Sequence, residues 1–170
     1  MTSKTTRKTI RIKLAKRLFN MRIAGIAFRD GHVLVHRATH EKFWTFPGGT
    51  AEVGENSAET LVREMKEETD CDVTLIRHLW TVENFFAFED RKWHEIGVYY
   101  LMQMPDNFPF RPEEIVHRVR DAKNDLEFKW VPADKARLEA LPLQPDFIPA
   151  RIADLPQTSE HLIHRESLPE

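Results

Sequence analysis

Residues 21–28 (MRIAGIAF) are almost wholly apolar and rich in strand formers, and residues 32–36 (HVLVH) repeat that character. Asp30-Gly31 lies between them, and such a pair favours the positive φ angles of a tight hairpin turn, so the two runs read as paired strands. An aromatic run at 43–46 (FWTF) reads as a further short strand, ended by Pro47-Gly48-Gly49. The period then changes. Ala58, Leu61, Val62, Met65 and Thr69 recur at helical spacing, while Thr60, Arg63, Glu64, Glu67 and Glu68 fall on the other faces. Asn56 suits the N-cap of this helix, and Glu59, three positions on, completes a capping box.

The remaining pattern is mostly extended. Residues 73–79 and 80–88 read as two strands, 89–92 as a polar turn, and 94–103 (HEIGVYYLMQ) as a strong strand. Residues 105–111 are punctuated by prolines and read as a loop, and 112–122 reads as a helix. A strand at 126–131, helices at 133–141 and 145–155, and a last short strand at 161–164 complete the expectation. Strands and helices mixed in this way, with several hairpins, predict an α/β (α+β) fold: a mixed β-sheet sandwiched between helices.

The length of 170 residues suits one domain and a substantial core. The net charge of -2 gives no reason to expect nucleic acid or an acidic membrane as a partner. Charge is nevertheless uneven. The first 29 residues contain no acid, while Lys4, Arg7, Lys8, Arg11, Lys13, Lys16, Arg17, Arg22 and Arg29 are basic. Ile10, Ile12 and Leu14 alternate with basic residues there, which suits a solvated strand edge guarded by its charges. A polyphosphate-facing strand, a dimer contact and a transit peptide are the alternatives. Cys71 is the only cysteine, so no internal disulfide forms, in keeping with a reducing, cytoplasmic setting. No run approaches the roughly 18 apolar residues of a membrane span, and no signal-peptide core follows the basic start.

The helix beginning at Asn56 carries the chemistry. Glu55, Glu64, Glu67 and Glu68 crowd around it, and Glu64 and Glu68, four apart, stack on one face. Like charges so spaced repel by a few tenths of a kcal/mol per pair, which calls for something to offset them. A hard divalent cation takes carboxylate oxygens and keeps waters that a phosphate can replace. Arg63 is placed to brace Glu55 or Glu67 with its planar fork. Taken alone, the EMKEE run also fits a solvated charged surface.

The wider spacing is more specific. Gly49 is followed after five residues by Glu55, after seven more by Arg63-Glu64-Met65, and then by Glu67-Glu68, with Pro47-Gly48-Gly49 ahead. This resembles the Nudix box, and the chain is similar to the Nudix hydrolases. It departs where the box normally closes with glycine and an aliphatic residue, since Asp70-Cys71 stands there. Aspartate tolerates the left-handed conformation that glycine supplies, so a modified helix end is expected. The flanking strands, the Phe128-Lys129-Trp130-Val131-Pro132 segment, and Glu83-Asn84-Phe85-Phe86 with His94-Glu95-Ile96-Gly97 also look like small bacterial Nudix proteins.

The resemblance implies one Nudix domain over residues 1–170, with 1–18 as a basic N-terminal strand or extension. It implies Mg2+, with Mn2+ as substitute, held by Glu64, Glu67, Glu68 and the backbone carbonyl of Gly48. Glu55 and Arg63 would form the orienting pair, and the catalytic set would be Glu67, Glu68, Arg63 and Glu55. For the general base, Glu67 and Glu68 compete with Glu95, Glu113, Glu114 and Glu127. The family attacks phosphorus with water, so the expected reaction cuts the diphosphate linkage of a nucleoside diphosphate joined to another moiety, ADP-ribose-like or a modified nucleoside triphosphate. An 8-oxo-dGTP-type sanitising pyrophosphatase and a non-catalytic nucleotide-binding module are the alternatives, with RNA cap removal a weaker third. The expected partner is a small nucleotide rather than nucleic acid or membrane, and a homodimer is consistent with the resemblance.

For substrate contacts, Phe85, Phe86, Glu95 and Arg22 are the chosen candidates. Phe43, Trp44, Phe88 and Trp93 offer further stacking faces, Arg29 and Arg37 further cations, and His36 or His40 hydrogen bonds to a ribose or base. Trp130 reads as core.

Overall fold

The computed structural model describes residues 8–120 and 124–166. Nine strands form one sheet in the order β7-β8-β3-β2-β6-β5-β9, with β1 and β4 also paired to β2. In chain order these are β1 (Arg11–Leu14), β2 (Arg17–Arg29), β3 (His32–Ala38), β4 (Gly48–Thr50), β5 (Thr74–Phe88), β6 (Arg91–Gln103), β7 (Ile115–Arg120), β8 (Asp125–Pro132) and β9 (Glu160–Arg165). Helix α1 (Ser57–Thr69) follows β4, and α2 (Lys135–Ala140) and α3 (Pro149–Ile152) follow β8. The pairing of β2 with β6 and of β5 with β9 is parallel, and the rest is antiparallel, so the sheet is mixed.

Two apolar clusters hold helices to the sheet. Leu61 and Met65 of α1 pack with Ile23, Ala27, Leu34, Val98 and Met102. Leu138, Ile148 and Ile152, from α2, the loop and α3, pack with Ala24, Ile26, Val33, Val35 and Tyr99. Neighbouring residues of β2 and β3 thus serve opposite clusters, as the two-residue period of a strand requires. The expected sheet between helices is what forms.

The β2–β3 hairpin turns at Asp30 (φ 45) and Gly31 (φ 72), and only Phe28↔Val33 and Arg29↔His32 then pair before the strands part. Into the gap runs the segment after β3. Thr45 bridges His36 of β3, the amide of Gly25 donates to the carbonyl of Pro47, and Gly48 pairs with Ala24 of β2. This crossing segment delivers the chain to α1, and it positions the site described below.

Helix α1 begins as its sequence predicts. The Asn56 side chain accepts from the amide of Glu59 and the Glu59 carboxylate accepts from the amide of Asn56, both at 2.9 Å. The buried set differs from expectation. Val62 is exposed, whereas Thr60 and Glu68 are buried beside Leu61, Met65 and Thr69. The helix axis is therefore rolled so that one glutamate points inward.

Other expectations are corrected. Residues 112–122 do not form a helix: Ile115–Arg120 is β7, whose Ile115, Val116 and Val119 supply β-branched side chains for pairing with β8. Residues 121–122 of that expectation lie outside the described residues. The run 43–46 makes only isolated bridges, Thr45 with His36 and Trp44 with Leu143, because it crosses between strands instead of lying along one. Residues 73–79 and 80–88 join into a single strand, β5, whose register shifts at Leu75/Arg77 and His78/Trp80 account for the break in period. Of the basic N-terminal stretch, 1–7 lie outside the described residues; β1 is paired to β2 and fully exposed, with Ile12 and Leu14 facing out.

Asp70 caps α1 in the left-handed region (φ 55), its amide donating to the carbonyl of Lys66 at 3.0 Å. Glycine adopts that conformation without the Cβ penalty of about 1 kcal/mol. Asp70→Gly is therefore expected to raise unfolding free energy by up to about 1 kcal/mol, read from urea denaturation. A loss of stability would show that the aspartate side chain is needed at this turn.

Candidate active site along helix α1

The capping box fixes the first turn of α1, and Arg63, two turns on, gathers the carboxylates. Its Nε donates to Glu55 Oε1 at 2.7 Å and its Nη2 to Glu55 Oε2 at 3.0 Å, a two-pronged contact. Its Nη1 donates to Glu64 Oε1 at 2.7 Å and to Glu67 Oε2 at 3.2 Å, and Glu52 lies 3.9 Å away. Only a planar guanidinium can serve so many acceptors in fixed directions. The hydroxyl of Thr60 donates to Glu55 as well, at 3.1 Å. Hydrogen bonding from Arg63 is the main reason that the Glu55 carboxyl is held below its usual range.

Glu64 lies against the glycine loop. A Cβ on Gly49 would strike the Glu64 carboxylate, so only glycine lets that group sit there. Gly48 needs its glycine twice over: its φ is +145, and a Cβ would meet the backbone of Ile23 and Ala24 in β2. Burial raises the pKa of Glu64 against the pull of Arg63, with Glu68 and Glu67 adding repulsion. These three carboxylates therefore share one electrostatic neighbourhood.

Glu68 is the inward glutamate. Its backbone carbonyl accepts from His117 Nε2 at 2.8 Å, and its Oε2 lies 3.5 Å from His36 Nδ1. That Oε2 is buried and has no hydrogen-bond partner. Glu67 is the outward one, its side chain 55% exposed. Among the described residues no three His, Cys, Asp or Glu side chains converge as a ready-made metal cluster. The donor chemistry nevertheless suits a hard divalent cation: Glu64 fills the space that glycine leaves, and Glu68 keeps a buried oxygen without a donor.

Arg22 stands where β2 and β3 part. Its Nη2 donates to the carbonyl of Phe46 at 3.0 Å and lies 3.4 Å from both Thr45 Oγ1 and His36 Nε2. Its charge also reaches Glu95, which is buried in a row with Asn20 and Asn84 across three strands. The Nδ2 of Asn20 donates to Glu95 Oε2 at 3.2 Å. Burial raises the Glu95 pKa, opposed by Arg22 and by the hydrogen bond from Asn20.

The two chosen phenylalanines separate. Consecutive residues on a regular strand face opposite ways, and β5 is regular from Trp80 onward. Phe86 shares the face of Asn84 and Glu95, stacked on Trp93 at 5.6 Å, with Phe88 and Phe43 continuing the aromatic group. Phe85 faces the other side, stacked on His94 at 4.5 Å beneath the Arg165 guanidinium.

Several other candidates are engaged elsewhere. Glu127 is bound by Arg37 and lies near Arg118, Glu113 pairs with Arg137, and Glu114 with Arg111. Arg29 donates to the carbonyls of Phe108 and Pro105 and Trp130 is core, while Trp44 is buried under Arg37. Sequence reasoning missed Asn20, Asn84 and Glu52. The signal for Asn20 was a polar residue at an inward position of β2.

A model described as the NUDIX domain matches residues 19–150. A protein of Bacillus subtilis (strain 168), YjhB, named as a candidate ADP-ribose pyrophosphatase, is 29% identical over 85 residues, which are 49% of this chain and 41% of that protein. The match thus spans less than half of that relative. Among solved structures, a UDP-X diphosphatase superposes with a TM-score of 0.58 at 15% identity, over 84% of this chain and 66% of that one. An ADP-ribose pyrophosphatase from Streptococcus suis 89-1591 gives a TM-score of 0.55 at 16% identity, over 85% and 98%. At such identities these two speak for the fold.

Two stability predictions follow from the ion pairs and the buried acid. Arg63→Ala leaves Glu55 and Glu64 without their shared cation, and the pair is largely but not wholly buried, so a loss of about 2 kcal/mol is expected at neutral pH. Because the Glu55 pKa is depressed, the wild-type advantage is full above the unfolded value of 4.5 and fades as pH falls through the folded one. Urea unfolding at pH 7 and pH 3 reads both, and a gap that does not narrow in acid refutes the assignment. Glu95 has the opposite sign. Its raised pKa favours the fold below 4.5 and that advantage is lost as pH rises through the folded value, so wild type loses stability relative to Glu95→Gln on going from acid to neutral pH. A constant difference between the two proteins would contradict it.

Proposed function

The chain belongs to the Nudix family, and on that premise we propose that it hydrolyses the diphosphate linkage of a nucleoside diphosphate joined to another moiety, with Mg2+ as the working metal. The observation that carries this reading is the arrangement around Arg63, where Glu52, Glu55, Glu64 and Glu67 share one guanidinium and the Glu64 carboxylate takes the room left by the missing Cβ of Gly49.

In this reading Glu64, Glu67, Glu68 and the carbonyl of Gly48 hold Mg2+, and Mn2+ can replace it. The metal, when bound, neutralises the diphosphate and the carboxylates together and stabilises charge on the leaving oxygen. Arg63 and Glu55 keep the carboxylates in place and do not touch the reacting atoms. Arg22 supplies a fixed positive charge for a phosphate at the mouth of the gap between β2 and β3. Water forms the new P–O bond as the anhydride P–O bond breaks, giving a nucleoside monophosphate and a second phosphorylated product. Glu67, the most solvent-accessible of the three box carboxylates, is the base that takes the proton from that water. Glu95 is too enclosed for that task and, with Phe86, suits contacts to the base or sugar.

ADP-ribose leads the substrate candidates, supported by the name of the Bacillus subtilis relative. The test is a panel of ADP-ribose, UDP-sugars and nucleoside triphosphates, 8-oxo-dGTP among them, incubated with Mg2+ and with excess chelator. Chelator-sensitive release of a nucleoside monophosphate from a diphosphate-linked substrate is expected. Exclusive cleavage of 8-oxo-dGTP would transfer the protein to nucleotide-pool sanitising, and no cleavage of any member would sink the hydrolase reading. Glu68→Gln is expected to lower kcat on the order of a hundredfold or more with the fold intact. An unchanged kcat would remove Glu68 from the metal site.

A further inference from the structure

Resting on that reading of Glu68 as a metal ligand, we infer that His36 is a positioning residue that holds the Glu68 carboxylate through Nδ1–H and ties it to Arg22 through Nε2. Two buried polar atoms lack hydrogen-bond partners on this side of the site, His36 Nδ1 and Glu68 Oε2, and they face each other at 3.5 Å. Both side chains are more than nine-tenths buried, so water cannot serve either atom freely. An unsatisfied buried donor or acceptor costs about 1–3 kcal/mol, so a small closure that joins the two is favoured over leaving both unmet.

The other ring nitrogen decides the tautomer. Arg22 Nη2 lies 3.4 Å from His36 Nε2, and a guanidinium only donates. Nε2 therefore presents its lone pair, and the ring proton sits on Nδ1, aimed at Glu68. Phe128 packs against the ring at a tilt of 53°, with centroids 5.2 Å apart, and Thr45 bridges its backbone. Glu68 is held at its other end too, since His117 Nε2 donates to its backbone carbonyl. One histidine from outside the helix thus faces the Glu68 carboxylate, and another holds the backbone of the same residue. A group of this kind behind a ligating carboxylate typically changes metal affinity by about 10–100-fold when removed.

The arrangement also joins two functions. Arg22 faces the phosphate and Glu68 the metal, and a single imidazole touches both. Movement of Arg22 toward a bound phosphate would act on the aim of Glu68 through a rigid ring of fixed length.

Two measurements test this. In the wild-type protein, ring-nitrogen NMR is expected to show His36 as the Nδ1–H tautomer, and an Nε2–H tautomer overturns the inference whatever the variants do. Mn2+ binding without substrate, followed by loss of the free-ion EPR signal, separates the variants. His36→Gln places its amide nitrogen near the Nε2 position and loses the donor to Glu68, so affinity should fall about tenfold or more. His36→Asn places its amide nitrogen near Nδ1 and keeps that donor, so affinity should stay within about threefold. Equal effects of the two substitutions would mean packing, not aim, and would overturn the inference. Glu68→Gln is the control. If it weakens Mn2+ binding and His36→Gln does not, the histidine inference fails alone; if it does not, the metal-ligand reading of Glu68 fails and takes the inference with it.

Discussion

Everything at this site depends on crowding carboxylates around one guanidinium. Glu52, Glu55, Glu64 and Glu67 all approach Arg63, and Glu68 adds a further charge that Glu64 feels. Such a set is unfavourable on an isolated helix, and one cation cannot neutralise it. Arg63 instead fixes its geometry. The two prongs on Glu55 brace the residue before the helix, and the third nitrogen reaches the two glutamates that follow. Negative charge is left over, and the capping box, the rolled helix and the glycine loop all keep it in one place.

The parting of β2 and β3 is what gives the crowded helix something to face. A continuous sheet would have offered Glu64 and Glu68 a flat apolar surface, which a carboxylate cannot use. The hairpin instead pairs at only two positions, and the segment 45–50 crosses the opening. That crossing brings Gly49 under Glu64, places Phe46 where its carbonyl accepts from Arg22, and leaves His36 between the arginine and Glu68. The Arg22 guanidinium, the His36 ring and the box carboxylates meet because two strands separate.

Much of this was legible in the sequence, for local reasons. Asn56 and Glu59 cap the helix, Asp30-Gly31 makes a turn, and box spacing places Glu64 and Glu68 on adjacent turns; each depends on residues within a few positions of one another. The rest was set at long range. Whether Glu68 points in or out depends on the roll of α1 over strands fixed elsewhere in the chain, and periodicity alone placed it with the charged face. The helix expected at 112–122 became β7 because β8 offers it an edge, a partner invisible to local propensity. His36 reads as a hydrogen-bond partner for a ribose or base because nothing nearby in sequence announces that Arg22 and Glu68 flank it.

Strand alternation also sorts the aromatic side chains. Phe85 and Phe86 are chemically alike and adjacent, yet the sheet assigns them to different faces. Only Phe86 shares a face with Asn84 and Glu95, whose row continues through Asn20 toward Arg22. A base stacked in the Phe86 and Trp93 group would therefore have the amides and the Glu95 carboxyl within its own layer, and its phosphates would run toward Arg22. Phe85, covered by His94 and Arg165 on the reverse face, has no such neighbours. Strand parity decides which aromatic shares a layer with Glu95, so a one-residue register slip in β5 would exchange Phe86 for Phe85 beside that carboxyl.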